Sequence, residues 1–160
     1  MNTAYLLLGT NLGEREKQLH TAITLLNEEC GKIIAKSGIY ETAAWGKTDQ
    51  PPFLNQALKI ETLLTARQLL RSILNTEKKM GRVRKEKYGP RLIDIDILLY
   101  NNEVHDFPML KLPHPELQNR RFALMPLAEI APDLMHPVFY QKISKLLKLC
   151  TDNLEVKKYS

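Results

Sequence analysis

Long apolar runs are missing from this chain of 160 residues. None approaches the ~18 residues that a membrane span needs, so no membrane partner is expected. Cysteine is nearly absent, with only Cys30 and Cys150. A small secreted scaffold carries more, which favours a reducing, cytoplasmic setting. The opening stretch, Met1-Asn2-Thr3-Ala4-Tyr5, lacks the basic start of a signal peptide. No internal repeat, low-complexity tract or linker interrupts the chain, and its length suits one domain over 1–160. Histidine is sparse, and no histidine spacing suggests a zinc site. The glycines never build a phosphate-binding fingerprint. Gly46-Lys47-Thr48 resembles the end of a P-loop, but Glu41 stands where the motif needs its first glycine. Gly9-Thr10-Asn11-Leu12-Gly13 lacks the three-glycine dinucleotide pattern and reads as a turn. No serine or cysteine triad signature is present.

What is present is a composition that is 44% hydrophobic, enough for a substantial core, and a charge distribution that is uneven. The net charge is +5, yet Lys78–Arg91 alone holds seven basic residues against Glu86, a net +6 that leaves the remainder at −1. A basic cluster this local fits a phosphate-bearing partner, a nucleotide or a nucleic acid. It also fits a solvated loop.

Periodicity supplies the elements. Thr3–Leu8 reads as a buried strand. Leu19, Ala22, Ile23, Leu26 and Cys30 recur at helical spacing, with Gly31 where a C-terminal cap belongs. Ile33–Tyr40 reads as a second strand, Thr42–Pro52 as a long loop, and Phe53–Glu61 as a third strand. Alternation there puts Phe53, Asn55 and Ala57 on one face and Leu54, Leu58 and Ile60 on the other. Thr65 and Gln68 form a capping box opening a helix with Ala66, Leu69, Leu70, Ile73 and Leu74 on its stripe, and Gly81 ends it. Leu92–Tyr100 is the clearest strand, and Asn101-Asn102 a turn after it. Six prolines from Pro108 to Pro137 then divide the chain into short pieces before a last helix marked by Ile143, Leu146, Leu147 and Cys150. The tail after Thr151 reads as mobile. The order β-α-β-β-α-β predicts an α+β ferredoxin-like sandwich: an antiparallel sheet with both helices on one face, plus additional C-terminal elements.

The chemistry-bearing residues concentrate around the fourth strand. Ile93, Ile95, Ile97 and Leu99 alternate onto one face, the core face, and leave Asp94 and Asp96 together on the other. Their Cα atoms would lie about 6.5–7 Å apart, twice the rise per residue. Two carboxylates this close repel unless a cation stands between them, and such a pair suits Mg²⁺ held jointly with substrate phosphates. Just upstream lies Arg82-Val83-Arg84-Lys85-Glu86-Lys87-Tyr88-Gly89-Pro90-Arg91. Guanidinium forks bind phosphate oxygens bidentately. Arginines beside an acidic pair are what phosphoryl transfer needs, and Gly89-Pro90 supplies a hinge for a mobile lid. Glu77 continues an apolar helix stripe, which reads either as a site acid or as a stripe-edge acid. His114, held between Pro113 and Pro115, reads equally as a phosphate contact or a structural histidine. Asn119, Arg120, Arg121 and Phe122 add phosphate and aromatic contacts. His136 before Pro137 reads as structural.

At this point the sequence resembles the 6-hydroxymethyl-7,8-dihydropterin pyrophosphokinases. The resemblance is carried by Lys87-Tyr88-Gly89-Pro90-Arg91-Leu92-Ile93-Asp94-Ile95-Asp96-Ile97-Leu98, read straight through. It is supported by Gly9 to Gly13, by Asp49-Gln50-Pro51 through Asn55-Gln56-Ala57, by Gly81-Arg82-Val83-Arg84, by Leu112-Pro113-His114-Pro115 and by Ala128-Glu129-Ile130-Ala131-Pro132. The resemblance implies a ferredoxin-like fold and transfer of the β,γ-pyrophosphoryl group of ATP to the pterin's hydroxymethyl oxygen, with release of AMP. It implies two Mg²⁺ ions bound with ATP and held by Asp94 and Asp96, with Arg82 and Arg91 as further catalytic positions. ATP contacts are expected from Glu77, Arg82, Arg84, Lys87, Arg91, Ile97 (through its backbone), His114 and Arg120. The pterin is expected at Thr42, Ala44, Trp45, Phe53, Asn55, Asp94 and Phe122, stacked between Trp45 and Phe122 and read by Asn55. Lys87, Tyr88, Phe53, Ala43-Ala44 and Pro115 depart from the family's familiar arginine, tryptophan, tyrosine, Pro-Pro and tyrosine. The expected partners are therefore ATP and 6-hydroxymethyl-7,8-dihydropterin, with the chain working as a monomer and without nucleic acid.

Two other readings compete. Ferredoxin-like folds also host RNA binders, which would show exposed aromatics and a Lys/Arg-Gly-Phe/Tyr motif rather than an acidic pair. A non-catalytic nucleotide sensor would bind ATP but make no AMP.

Overall fold

A computed structural model describes residues 1–43, 50–81 and 92–160. The elements are β1 (Asn2–Thr10), α1 (Arg15–Glu29), β2 (Lys32–Lys36), β3 (Tyr40–Thr42), β4 (Phe53–Thr62), α2 (Ala66–Lys79), β5 (Asp94–Tyr100), β6 (His105–Phe107), β7 (Leu110–Leu112), α3 (Arg121–Ile130), α4 (Ile143–Leu149) and β8 (Val156–Lys158). The main sheet runs β5-β1-β4-β3-β8, with β2 also paired to β4, and β6-β7 form a separate ladder. Every pairing in the main sheet is antiparallel. This is the predicted ferredoxin-like α+β topology with its C-terminal additions.

Two cores lie on opposite faces of that sheet. Ala4, Leu6 and Leu8 of β1 meet Leu19, Ala22 and Leu26 of α1 and Leu69 and Ile73 of α2 in one of them. Tyr5 and Leu7 meet Ala123, Leu124 and Leu127 of α3 and Ile143 and Leu146 of α4 in the other. Because both faces are covered, β1 is buried without alternation from Ala4 to Thr10.

Helix α2 begins as predicted. Thr65 N–H donates to Gln68 Oε1 at 2.9 Å, and Gln68 N–H donates back to Thr65 Oγ1 at 3.2 Å. Its buried stripe continues through Thr76 and Glu77 rather than Leu74, which is 37% exposed. Gly81 ends it at φ 79°, donating to Lys78 O at 3.0 Å. Gly31 does not adopt the left-handed conformation of a C-terminal cap. It is glycine because a Cβ there would lie 2.4 Å from Glu61 O, where the chain turns hard against β4.

Four further expectations need correction. The single strand read over 33–40 is broken at 37–39: β2 pairs with the far half of β4 and β3 with the near half. Ser37 fills the break, bonding Ala57 through both its N–H and its Oγ at 2.9 Å. Strand β5 contains a bulge. Leu6 pairs with Ile97 and Tyr5 with Leu99, so Leu98 is the extra residue. Leu98 and Leu99 therefore both join the α3/α4 core, and Tyr100 returns to the α1/α2 core. Pro126 sits buried inside α3 instead of ending it. The tail after Thr151 is not loose: β8 pairs with β3, placing Lys158 opposite Tyr40.

Candidate active site

Strand alternation in β5 survives where it matters. Ile93 and Ile95 are buried in the α1/α2 core, while Asp94 and Asp96 are half-buried on the opposite face. Asp96 stands opposite Leu7 and Asp94 opposite Gly9. Gly9 is in turn opposite Asn55, and Asn55 opposite Tyr40. One register row thus crosses four strands as Asp94–Gly9–Asn55–Tyr40. Gly9 had read as part of a turn; it lies inside β1, and only Gly13, at φ 66°, adopts a turn conformation there.

The glycine has a steric reason. A Cβ on Gly9 would lie 2.8 Å from Asn55 Nδ2, so the amide occupies the space a side chain would take. Asn55 is 4% exposed, and its Nδ2 donates to Leu8 O at 3.2 Å. Its Oδ1 finds no partner among the described residues, and neither does Thr42 Oγ1, also buried. A buried unpaired acceptor costs about 1–3 kcal/mol, so an orphaned amide oxygen and a hydroxyl on neighbouring strands mark a recess suited to a ligand with polar edges. Phe53, opposite Thr42, shares the face of Asn55. Phe122, at the start of α3, packs on the core of that same face.

His114 and Arg120 approach the acids from the segment after β7. His114 N–H donates to Leu98 O at 2.9 Å, which pins the residue along the outer edge of β5. Its Nδ1 accepts from Glu116 N–H at 3.1 Å, leaving Nε2 as the protonated nitrogen of a neutral ring. Burial first, and then the charge of Arg120, push the His114 pKa down to about 4, against the opposing pull of Glu116 and Asp94. The Arg120 guanidinium lies 5.7 Å from the centroid of the Phe122 ring. His114, Arg120, Asp94 and Phe122 are therefore neighbours.

Glu77 is 3% exposed, and its Oε2 accepts from Ile95 N–H at 2.8 Å. Ile95 lies between the two aspartates on the outermost strand of this side of the sheet. The buried carboxylate therefore covers an edge N–H between the two acids. The Ile97 side chain is buried in the α1/α2 core, leaving its backbone for the contact expected of it. His136 is structural, with Nδ1 accepting from Val138 N–H and Phe139 N–H, each at 3.2 Å. Ala44, Trp45, Arg82, Arg84, Lys87 and Arg91 lie outside the described residues. Sequence reading missed Tyr40 and the use of Gly9. Only a glycine in mid-strand hinted at the second.

Acids beside a neutral imidazole and a guanidinium, next to a recess with unpaired polar edges, have the chemistry of a phosphoryl-transfer site. The model of the family "7,8-dihydro-6-hydroxymethylpterin-pyrophosphokinase (HPPK)" matches residues 5–132. A 2-amino-4-hydroxy-6-hydroxymethyldihydropteridine pyrophosphokinase of Aquifex aeolicus is 45% identical over 145 residues, covering 91% of this chain and 90% of the relative. One from Haemophilus influenzae is 39% identical, covering 98% of each chain. A crystal structure of Plasmodium falciparum HPPK-DHPS with pterin and p-hydroxybenzoate superposes with a TM-score of 0.74 at 20% identity, over 92% of this chain and 41% of the Plasmodium chain. The chain belongs to the 7,8-dihydro-6-hydroxymethylpterin-pyrophosphokinase family. The RNA-binding alternative has no support, since α3 and α4 pack on the sheet face that an RNA-recognition fold leaves open.

Proposed function

We infer that this chain transfers the pyrophosphoryl group of ATP to the hydroxyl of 6-hydroxymethyl-7,8-dihydropterin and releases AMP, a step of folate synthesis. The observation that carries this reading is the register row. It sets a rigid carboxylate one glycine away from a buried amide with an unpaired oxygen.

In this reading the pterin lies over Gly9. Asn55 Oδ1 and Thr42 accept from its N–H edges, Phe53 and Phe122 contact its ring, and Trp45 and Ala44 are the further pterin contacts that the family resemblance implies. A glycine is needed beneath the ring because any larger residue would displace the Asn55 amide. Asp94 and Asp96 fit Mg²⁺, because both are hard oxygen donors, two residues apart on one face of β5. Two ligands from protein leave the remaining coordination to phosphate and water. Asp94 and Asp96 would hold the two ions, which when bound supply neutralisation of charge on the triphosphate. Neutral His114 would donate Nε2–H to a phosphate oxygen, and Arg120 would pair with phosphate directly. The family resemblance gives Arg82, Arg84, Lys87 and Arg91 the rest of the triphosphate charge to neutralise, with Arg82 and Arg91 as catalytic positions. The attack is in line at the β-phosphorus, and positioning with electrostatics supplies most of the acceleration.

The test is AMP release with and without the pterin. Asp96→Ala should abolish turnover while circular dichroism stays that of the wild-type fold. Wild-type rates of AMP release from that variant would end this reading.

A further inference from the structure

The stretch Ala128-Glu129-Ile130-Ala131-Pro132 has no role in the reaction described above, yet Glu129 joins four parts of the fold. Its Oε1 accepts from Tyr40 Oη at 2.5 Å, and its Oε2 accepts from Gly38 N–H at 3.0 Å. Lys158 Nζ of β8 stands 3.5 Å from the same carboxylate and 6.0 Å from the centroid of the Tyr40 ring. A Cβ on Gly38 would meet Lys158 Cε at 2.7 Å and Ser160 O at 2.8 Å, so a glycine lets the last strand close over this point. Burial foremost, and then the adjacent carboxylate, push the Tyr40 pKa up to about 12, which keeps its hydroxyl a donor. Burial alone would raise Glu129, but Tyr40, Gly38 and Lys158 outweigh it and hold the carboxyl below its usual range.

The placement of these groups gives the cluster a consequence for the site. Tyr40 is paired with Asn55, and Thr42 with Phe53, so the residue held by Glu129 stands beside one wall of the pterin recess. Phe122 belongs to the same helix as Glu129. Strand β3 has only three residues, paired to β4 on one side and to β8 on the other, and the Tyr40–Glu129 bond is its tie to α3. We propose that Glu129, acting through Tyr40, is a positioning residue for the pterin: it locks α3 to β3 and so sets the gap between Phe122 and the Thr42–Asn55 wall. The inference rests on the pterin reading above.

Fluorescence titration of the pterin, with Mg²⁺ and a non-hydrolysable ATP analogue present, tests it. The analogue's own Kd is measured separately. Tyr40→Phe and Glu129→Ala should each weaken pterin binding about tenfold, on the scale of a hydrogen bond to a charged group. The analogue's Kd should stay within about twofold of wild type, and the double variant should be no worse than Glu129→Ala, because both remove one coupled contact. Tyr40→Phe and Glu129→Gln carry the test alone if Glu129→Ala does not fold. Unchanged pterin binding in folded Tyr40→Phe would overturn the proposal. So would equal weakening of both ligands, or additive effects in the double variant. A wild-type chain that binds the analogue but no pterin would instead overturn the functional reading, and the clamp with it.

Discussion

At the scale of single residues, much of the site follows from which atoms are left without water. His114 shows this in a measurable way. Burial and Arg120 depress its pKa to about 4 from 6.5, so between these values the unfolded chain binds a proton that the folded chain refuses. Stability should therefore be fully present above pH 6.5 and fall as pH drops toward 4. His136, lowered by burial, acts in the same direction. Urea midpoints between pH 7.5 and pH 4.5 should fall in wild type and fall less in His114→Gln; a flat wild-type profile would show that neither ring is held neutral. The acid pair was legible in the sequence because alternation in a strand depends only on adjacent residues. The partners of Asn55 were not, because Gly9 and Tyr40 are distant in the chain and meet it only through strand register.

At the scale of elements, local signals held where their chemistry is local. The Thr65/Gln68 capping box spans four residues and closes on itself. Thr65→Ala should cost about 1 kcal/mol, seen as a lower denaturation midpoint, with the rate of AMP formation unchanged because the Thr65 side chain closes on Gln68 of its own helix. Signals failed where a neighbouring element decides. Ser37 breaks what read as one strand because its hydroxyl and backbone both serve Ala57. The bulge at Leu98 gives both leucines to the α3/α4 core, which periodicity alone assigned to opposite faces. Glu77 sits on an apolar stripe because the edge of β5 needs an acceptor there.

For the whole molecule, the consequence is one sheet serving two cores. Leu69 and Leu124 are both fully buried, on opposite faces. Leu69→Ala and Leu124→Ala should each cost about 2–5 kcal/mol. Because β1, β4 and β5 link the two layers, far-UV circular dichroism and intrinsic fluorescence should report one coincident transition in both variants. Separate transitions would mean that α3 and α4 form an independent layer. The sequence by itself determined the order of the core strands and helices, both ends of α2, the pairing of Asp94 with Asp96 on one face and the family resemblance, since each depends on residues close together or on an uninterrupted motif. Tertiary structure alone decided which residues share a register row, that the last strand closes on β3, and that one carboxylate of α3 reaches across to Tyr40. Gly38 and Glu129 are 91 positions apart, β3 and β8 further still, and nothing in a local pattern encodes which distant strand will lie alongside.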